Sequence, residues 1–224
     1  MTTVPPALIA HLGSSSRTEV LEHRNLVQTQ WWTPHLDPLG YSIRTDPEGY
    51  ISRSDLFALA EDPDSLDVLD LLWHVLAWTS GTNPRLNIKR VQAVAKDREK
   101  AEAVLLTGVK MSRQAAIDGF LAMQPKKVPS LQHLTLPFFT RYLYFAGAGN
   151  PRHPCLILDE NVLATLFAAT GEGRYHSSEA VGPKTYQGAV EIMRWWADEA
   201  TDETGRLVSA DEVEKWASTV AGNL

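Results

Sequence analysis

Apolar residues recur at three- and four-residue spacing through most of the chain. Alternating runs of the kind a half-buried strand needs are nearly absent, so the pattern predicts an all-α fold. Ser52 or Ser54 is placed to cap a helix running to Leu59, and Pro63 separates it from the next apolar stripe, Leu66, Leu69, Leu72, Trp73 and Leu76. After a break at Gly81 to Pro84, a long charged helix is expected from Ile88 to Leu106, stopped by Gly108, with Ser112 capping a further helix to Met123. The chain turns between Pro125 and Pro129, Phe138 to Phe145 reads as helix, and Gly147-Ala148-Gly149-Asn150-Pro151 must end it. Asp159 then opens a helix whose inner face is Val162, Leu163, Leu166 and Phe167. Two amphipathic helices, Pro183 to Ala200 and Ser209 to Val220, follow, with Trp195, Trp196 and Trp216 as core. Trp31 through Pro34, Pro38, Gly40 and Pro47 to Gly49 reads as loop. The expected organisation is a loop-rich segment over 1–50 packed on a helical domain over 51–224, one compact unit or two lobes around a cleft.

Composition narrows the function classes. At 224 residues and 44% hydrophobic content, the chain can build its own core. It has no apolar run of about 18 residues and no basic-then-apolar opening in Met1-Thr2-Thr3-Val4-Pro5-Pro6, so a cytoplasmic protein with no membrane contact is expected. A single cysteine, Cys155, excludes an internal disulfide and any cysteine-rich zinc or iron–sulfur site, and reads as core. The seven histidines form no ligand-like cluster, and Gly-rich phosphate loops, His-Glu-x-x-His and Gly-x-Ser-x-Gly are absent; neither a metal nor another cofactor is expected. His133 and His153 read as loop or surface residues. The net charge of −6 argues mildly against a protein devoted to gripping phosphates. Yet Arg85, Lys89, Arg90, Lys96, Lys110, Arg113, Lys126 and Lys127 crowd the middle of the chain, either as one basic side or as ordinary solvated helix faces.

The most informative block is Leu136-Pro137-Phe138-Phe139-Thr140-Arg141-Tyr142-Leu143-Tyr144-Phe145 followed by Leu156-Ile157-Leu158-Asp159. It resembles the bacterial family with the 8-oxoguanine DNA glycosylase fold, a helix-hairpin-helix architecture in which Thr-Lys and an apolar stretch precede Ile-Leu-Asp. Ile51-Ser52-Arg53-Ser54-Asp55, Tyr186, Trp196-Ala197 and Asp211-Glu212-Val213-Glu214 resemble further family segments, although Arg53 receives no role beyond possible ion pairing. The resemblance implies DNA carrying a damaged or modified base as the partner, and base excision in repair or in defence against foreign DNA. In the family, the lysine attacks the sugar as an amine. This chain has Arg141 there.

Breaking an N-glycosidic bond leaves positive charge on the sugar, so a carboxylate and a nucleophile are needed, and Asp159 is the candidate carboxylate. A guanidinium stays protonated and has no lone pair to attack carbon, which excludes Schiff-base chemistry at Arg141 but leaves it able to grip a phosphate or a flipped base. Two routes remain. Asp159 activates water and the strand is left uncut, the favoured reading, or another amine such as Lys110, Lys126, Lys127 or Lys184 reaches the site. Glycines of a standard hairpin are replaced by Pro137, Phe138 and Phe139, which weakens or shifts phosphate binding there. Phe138, Phe139, Thr140, Trp78 and Lys184 are candidates for contact with DNA or the flipped base, with core packing the plainer reading of each aromatic. The alternative function is a DNA-binding or interaction protein that kept the fold and lost catalysis; a third is an all-α adaptor with no nucleic-acid partner.

Overall fold

The computed structural model describes residues 3–124 and 127–224. Among them are twelve α-helices and one two-stranded ribbon, an all-α fold as the spacing predicts. The segment expected to be loop-rich instead holds α1 (Pro6–Leu12), α2 (Arg17–Leu21), β1 (Arg24–Leu26) and α3 (Thr29–Leu36). Pro34 lies inside α3, where its missing N–H costs a backbone bond; burial of Trp32 and Leu36 offsets that loss. Leu8, Leu12, Trp32 and Leu36 join the same buried cluster as the remaining helices.

β1 pairs antiparallel with β2 (Tyr50–Ser52) in the register Arg24↔Ser52, Asn25↔Ile51 and Leu26↔Tyr50. Three residues are too few for a period-two signal, which is why the ribbon was invisible to patterning. The next backbone bond, Arg53 N–H to the His23 carbonyl at 3.0 Å, sets those two residues side by side. α4 (Arg53–Ala58) then starts from a reciprocal cap in which Ser52 Oγ accepts from Asp55 N–H and Asp55 accepts from Ser52 N–H.

Two helices are apolar almost all round and form the inner pair: α5 (Val68–Ser80), capped by Asp67, and α9 (Leu136–Phe145). The long charged helix is broken at Asp97 into α6 (Asn87–Lys96) and α7 (Arg98–Ser112). Gly108 does not stop it. That glycine lies within α7 because α8 (Ala116–Met123) packs there, and a Cβ would come within 2.6 Å of Met123 Sδ. Ser112, expected as a cap, is the last residue of α7 and donates to the Val109 carbonyl. α10 (Glu160–Thr170), α11 (Pro183–Thr204) and α12 (Ala210–Val220) complete the chain, with α12 packed on both of the others. Phe167 and Trp195, expected inside, are 38% and 37% exposed, because each faces outward from a helix whose opposite side supplies the core. Trp196 and Trp216 are buried, as is Cys155. No helix among the described residues is long and apolar enough to cross a membrane.

Candidate functional site

Pro137, Phe138 and Phe139 are not hairpin residues. They form the first turn of α9, where Pro137 fits because the early helical N–H groups lack intrahelical partners anyway. One turn on, Thr140 is fully buried and its Oγ1 both donates to the Leu136 carbonyl at 2.8 Å and accepts from Leu158 N–H at 3.2 Å. Tyr186 holds the other end of that extended segment, its hydroxyl accepting from Leu156 N–H and donating to the Leu156 carbonyl. With residue 158 locked to residue 140, residue 159 falls beside residue 141. Asp159 Oδ2 accepts from Arg141 Nη2 at 2.6 Å. Its other oxygen, Oδ1, accepts from Val162 N–H at 3.1 Å and caps α10. Arg141 Nη1 donates to the Pro137 carbonyl, while its Nε has no hydrogen-bond partner among the described residues. The two side chains are 15% and 14% exposed, so both reach solvent from a mostly dry setting. Burial pulls Arg141 below the ordinary arginine range, opposed by the adjoining Asp159 charge.

A second set of charges is linked through Arg53. Arg53 and Glu214, 2% and 1% exposed, are joined by two contacts, Nη1 to Oε2 at 2.7 Å and Nη2 to Oε1 at 3.3 Å. Burial pushes the Glu214 carboxyl up, although Arg53 pulls it back. Arg53 Nη1 also reaches the Tyr144 hydroxyl, which donates to Asp211 Oδ2, and Asp211 pairs with Arg17 at 3.1 Å. Arg53 thus has a definite ion-pair role. His23 stands against this array, edge-on to Trp78 at 5.3 Å. Burial first, then the fields of Arg53, Lys215 and Arg141, lower its imidazole to about 4, so it is neutral at pH 7. Lys215, half-buried on α12, is likewise pulled below the usual lysine range by burial and by Arg53, partly countered by Glu214. His23 and Lys215 carry no motif; Tyr144, Glu214 and Asp211 belong to family-like segments, but only the fold shows what they meet.

The other sequence candidates scatter. Phe139 is buried edge-on against Phe120, and Thr140 is consumed by the Leu158 clamp, so neither presents a surface to a partner in this conformation. Trp78 is 3% exposed, packed between His23 and Phe145 with Arg53 over its ring. Phe138 remains half-buried beneath the Arg90 guanidinium at 3.7 Å. Lys184 lines a separate hollow of about 600 Å³ with Arg174 and Trp195. The basic middle is partly spent internally: Arg90 donates to His133 O and Asn87, and Arg113 to the Ala146 carbonyl. Lys126 lies outside the described residues. His153, read as loop or surface, is buried, and its ring is held at the Leu143 carbonyl. Among the described residues, no cluster of three or more His, Cys, Asp or Glu could hold a metal ion.

In a comparison with known families, residues 18–218 fit the family described as "Putative 8-oxoguanine DNA glycosylase OGG-like protein". Searches of curated proteins and of solved structures return no match.

Proposed function

The chain belongs to the OGG-like family of 8-oxoguanine DNA glycosylase proteins, and from that premise we propose that it binds DNA carrying a damaged or modified base, turns that base out of the stack and hydrolyses its N-glycosidic bond. The contact between Arg141 and Asp159 carries this reading, because it joins a half-dry carboxylate and a cation at one surface. As the bond between C1′ and the base nitrogen breaks, its electron pair leaves with the base and positive charge grows on the sugar. Asp159 stabilises that charge and takes the proton of an attacking water, so C1′ gains a hydroxyl. Its cap to Val162 fixes the carboxylate in place. Arg141 moves from Oδ2 to a DNA phosphate, for which its planar fork suits it, and frees that oxygen for the reaction. Arg141 forms no bond to the sugar, and the hydrolytic step leaves an abasic site in an uncut strand.

One observation favours a second reading, a DNA-binding protein without catalysis: both Asp159 oxygens are already occupied. The two readings part in one assay. The protein is incubated with duplexes carrying 8-oxoguanine, uracil, alkylated bases or hypermodified cytosines, and abasic sites are revealed with hot alkali. Excision is expected from at least one duplex and should fall by about 10²-fold or more in Asp159→Asn, which keeps a helix-capping oxygen. Tight binding with no abasic product from any duplex would favour the non-catalytic reading.

A further inference from the structure

The hollow beside α11 is built along one stripe of that helix. Lys184, Gly188, Glu191 and Trp195 recur at three- and four-residue spacing, and Ile117 of α8 and Arg174 join them in the lining. Lys184 and Trp195 stand about 16 Å apart along the axis, at about 1.5 Å per residue. Cations mark one end and an exposed indole the other.

At the first end, Lys184 makes no ion pair among the described residues. Arg174 pairs with Glu172 at 2.6 Å, but the two side chains are 44% and 38% exposed, so that bond exchanges readily for another anion. Gly182 gives α11 no side-chain cap and Pro183 occupies its first turn, which leaves the positive end of a 22-residue helix uncapped beside Lys184. A separate observation points to a ligand here. Tyr175 is fully buried, and its hydroxyl has no hydrogen-bond partner among the described residues. A Cβ added at Gly188 would stand 3.3 Å from that oxygen and 3.0 Å from Arg174 Nη1, so both groups converge on the side chain that Gly188 lacks. Arg174 also lies over the Tyr175 ring at 4.8 Å. Burial pushes this phenol up to about 12, with Arg174 opposing and Glu172 and Glu191 adding to the rise; at neutral pH it is a donor without an acceptor.

At the far end, Trp195 Nε1 donates to Glu199 at 3.1 Å, which ties the ring edge back while the residue stays 37% exposed. Ile117 supplies apolar wall. Glu191, the carboxylate of the lining, accepts from Gln187 Nε2 at 2.7 Å, and Gln187 Oε1 accepts from Ile117 N–H.

We propose that this hollow is a second nucleic-acid site, which holds an unpaired DNA strand with a phosphate at the start of α11, on Lys184 and Arg174, and a base against Trp195. This rests on reading the chain as a DNA-binding protein. Arg174 leaves Glu172 for the phosphate, and the Tyr175 hydroxyl gains an acceptor. Every base has a flat face to lay on an indole, so the site takes any sequence; an acidic peptide would satisfy the cations and leave the indole bare. Tyr186, on the same helix, anchors Leu156 three residues before Asp159, so one rigid element carries both sites. A strand parted from its partner near Asp159 then has a place to lie.

The test is a titration of a short fluorescein-labelled oligothymidylate with the full-length protein, read by anisotropy at several salt concentrations. Trp195→Ala is expected to weaken binding at least about tenfold, the size of one base–aromatic stack, with the salt dependence unchanged. Lys184→Ala should weaken it and lower the slope of log affinity against log salt by about 0.7, the single-strand value for one phosphate contact. Gly188→Ala, favourable by helix propensity, should weaken binding several-fold without lowering the unfolding midpoint, because the new methyl group displaces Arg174 Nη1. No binding, full binding by Trp195→Ala, or an unmoved salt slope in Lys184→Ala overturns the proposal. So does equal competition by thymidine monophosphate or by polyglutamate of matching charge, which would make the hollow a site for a free nucleotide or an acidic peptide. Failure here with base release intact in the alkali assay would leave the glycosylase reading standing; strand binding through these residues without base release from any duplex would do the reverse.

Discussion

Thr140 carries more of the site than its size suggests. One hydroxyl answers two backbone groups, and without it the Leu158 N–H is left buried with no partner. Thr140→Val, close in shape, is expected to cost about 1–3 kcal/mol in urea unfolding and to lower excision further than stability alone explains, because Asp159 follows directly on the freed segment. Glu214 is a second such residue. Glu214→Gln strands the buried Arg53 charge and should destabilise by about 3–5 kcal/mol, whereas Glu160→Gln, an exposed change on α10, should leave the unfolding midpoint almost unmoved. At this scale the sequence was readable where a motif spans adjacent positions. Arg141 and Asp159 stood out through the resemblance of their block to a family motif, and they do touch. His23 and Lys215 did not, since nothing local distinguishes them from any surface histidine or lysine.

The elements divide by what determines them. Capped helix starts were legible: Ser52, one of two candidate caps, starts α4, and Asp159 starts α10. Close packing misled, because Gly108 has the composition of a helix stop and the function of a contact. Gly108→Ala, favourable by helix propensity, is expected instead to destabilise by about 1–3 kcal/mol in chemical denaturation, since Met123 must shift to admit the new methyl group. The ribbon of β1 and β2 was beyond reach for a different reason. Its six residues owe their conformation to each other across the chain, and it is this pairing that brings His23 to Arg53.

At the scale of the whole molecule, the site is assembled from both ends of the chain: Arg17 meets Asp211, and Arg53 meets Glu214. The all-α class and the central motif are legible in the sequence; the contact of Arg17 with Asp211, 194 residues apart, is not. Acid should act on the fold through two imidazoles, buried His153 and half-buried His23. Burial lowers His153 to about 4 from the usual 6.5, and His23 similarly, so the unfolded chain binds protons between those values that the folded chain refuses. Stability is therefore expected to fall as pH drops from about 6.5 towards 4. Denaturant midpoints measured across that range should show the loss, with a shallower slope in His153→Gln.

A carboxylate that anchors a helix cannot swing. Asp159 is pinned through one oxygen to the backbone of α10, so in the proposed reaction its carboxylate is aimed before any DNA arrives and no binding energy is spent on orienting it. The same tether sets a narrow tolerance on side-chain reach: on the proposed reading a glutamate, one methylene longer, would have to abandon either the helix or the sugar.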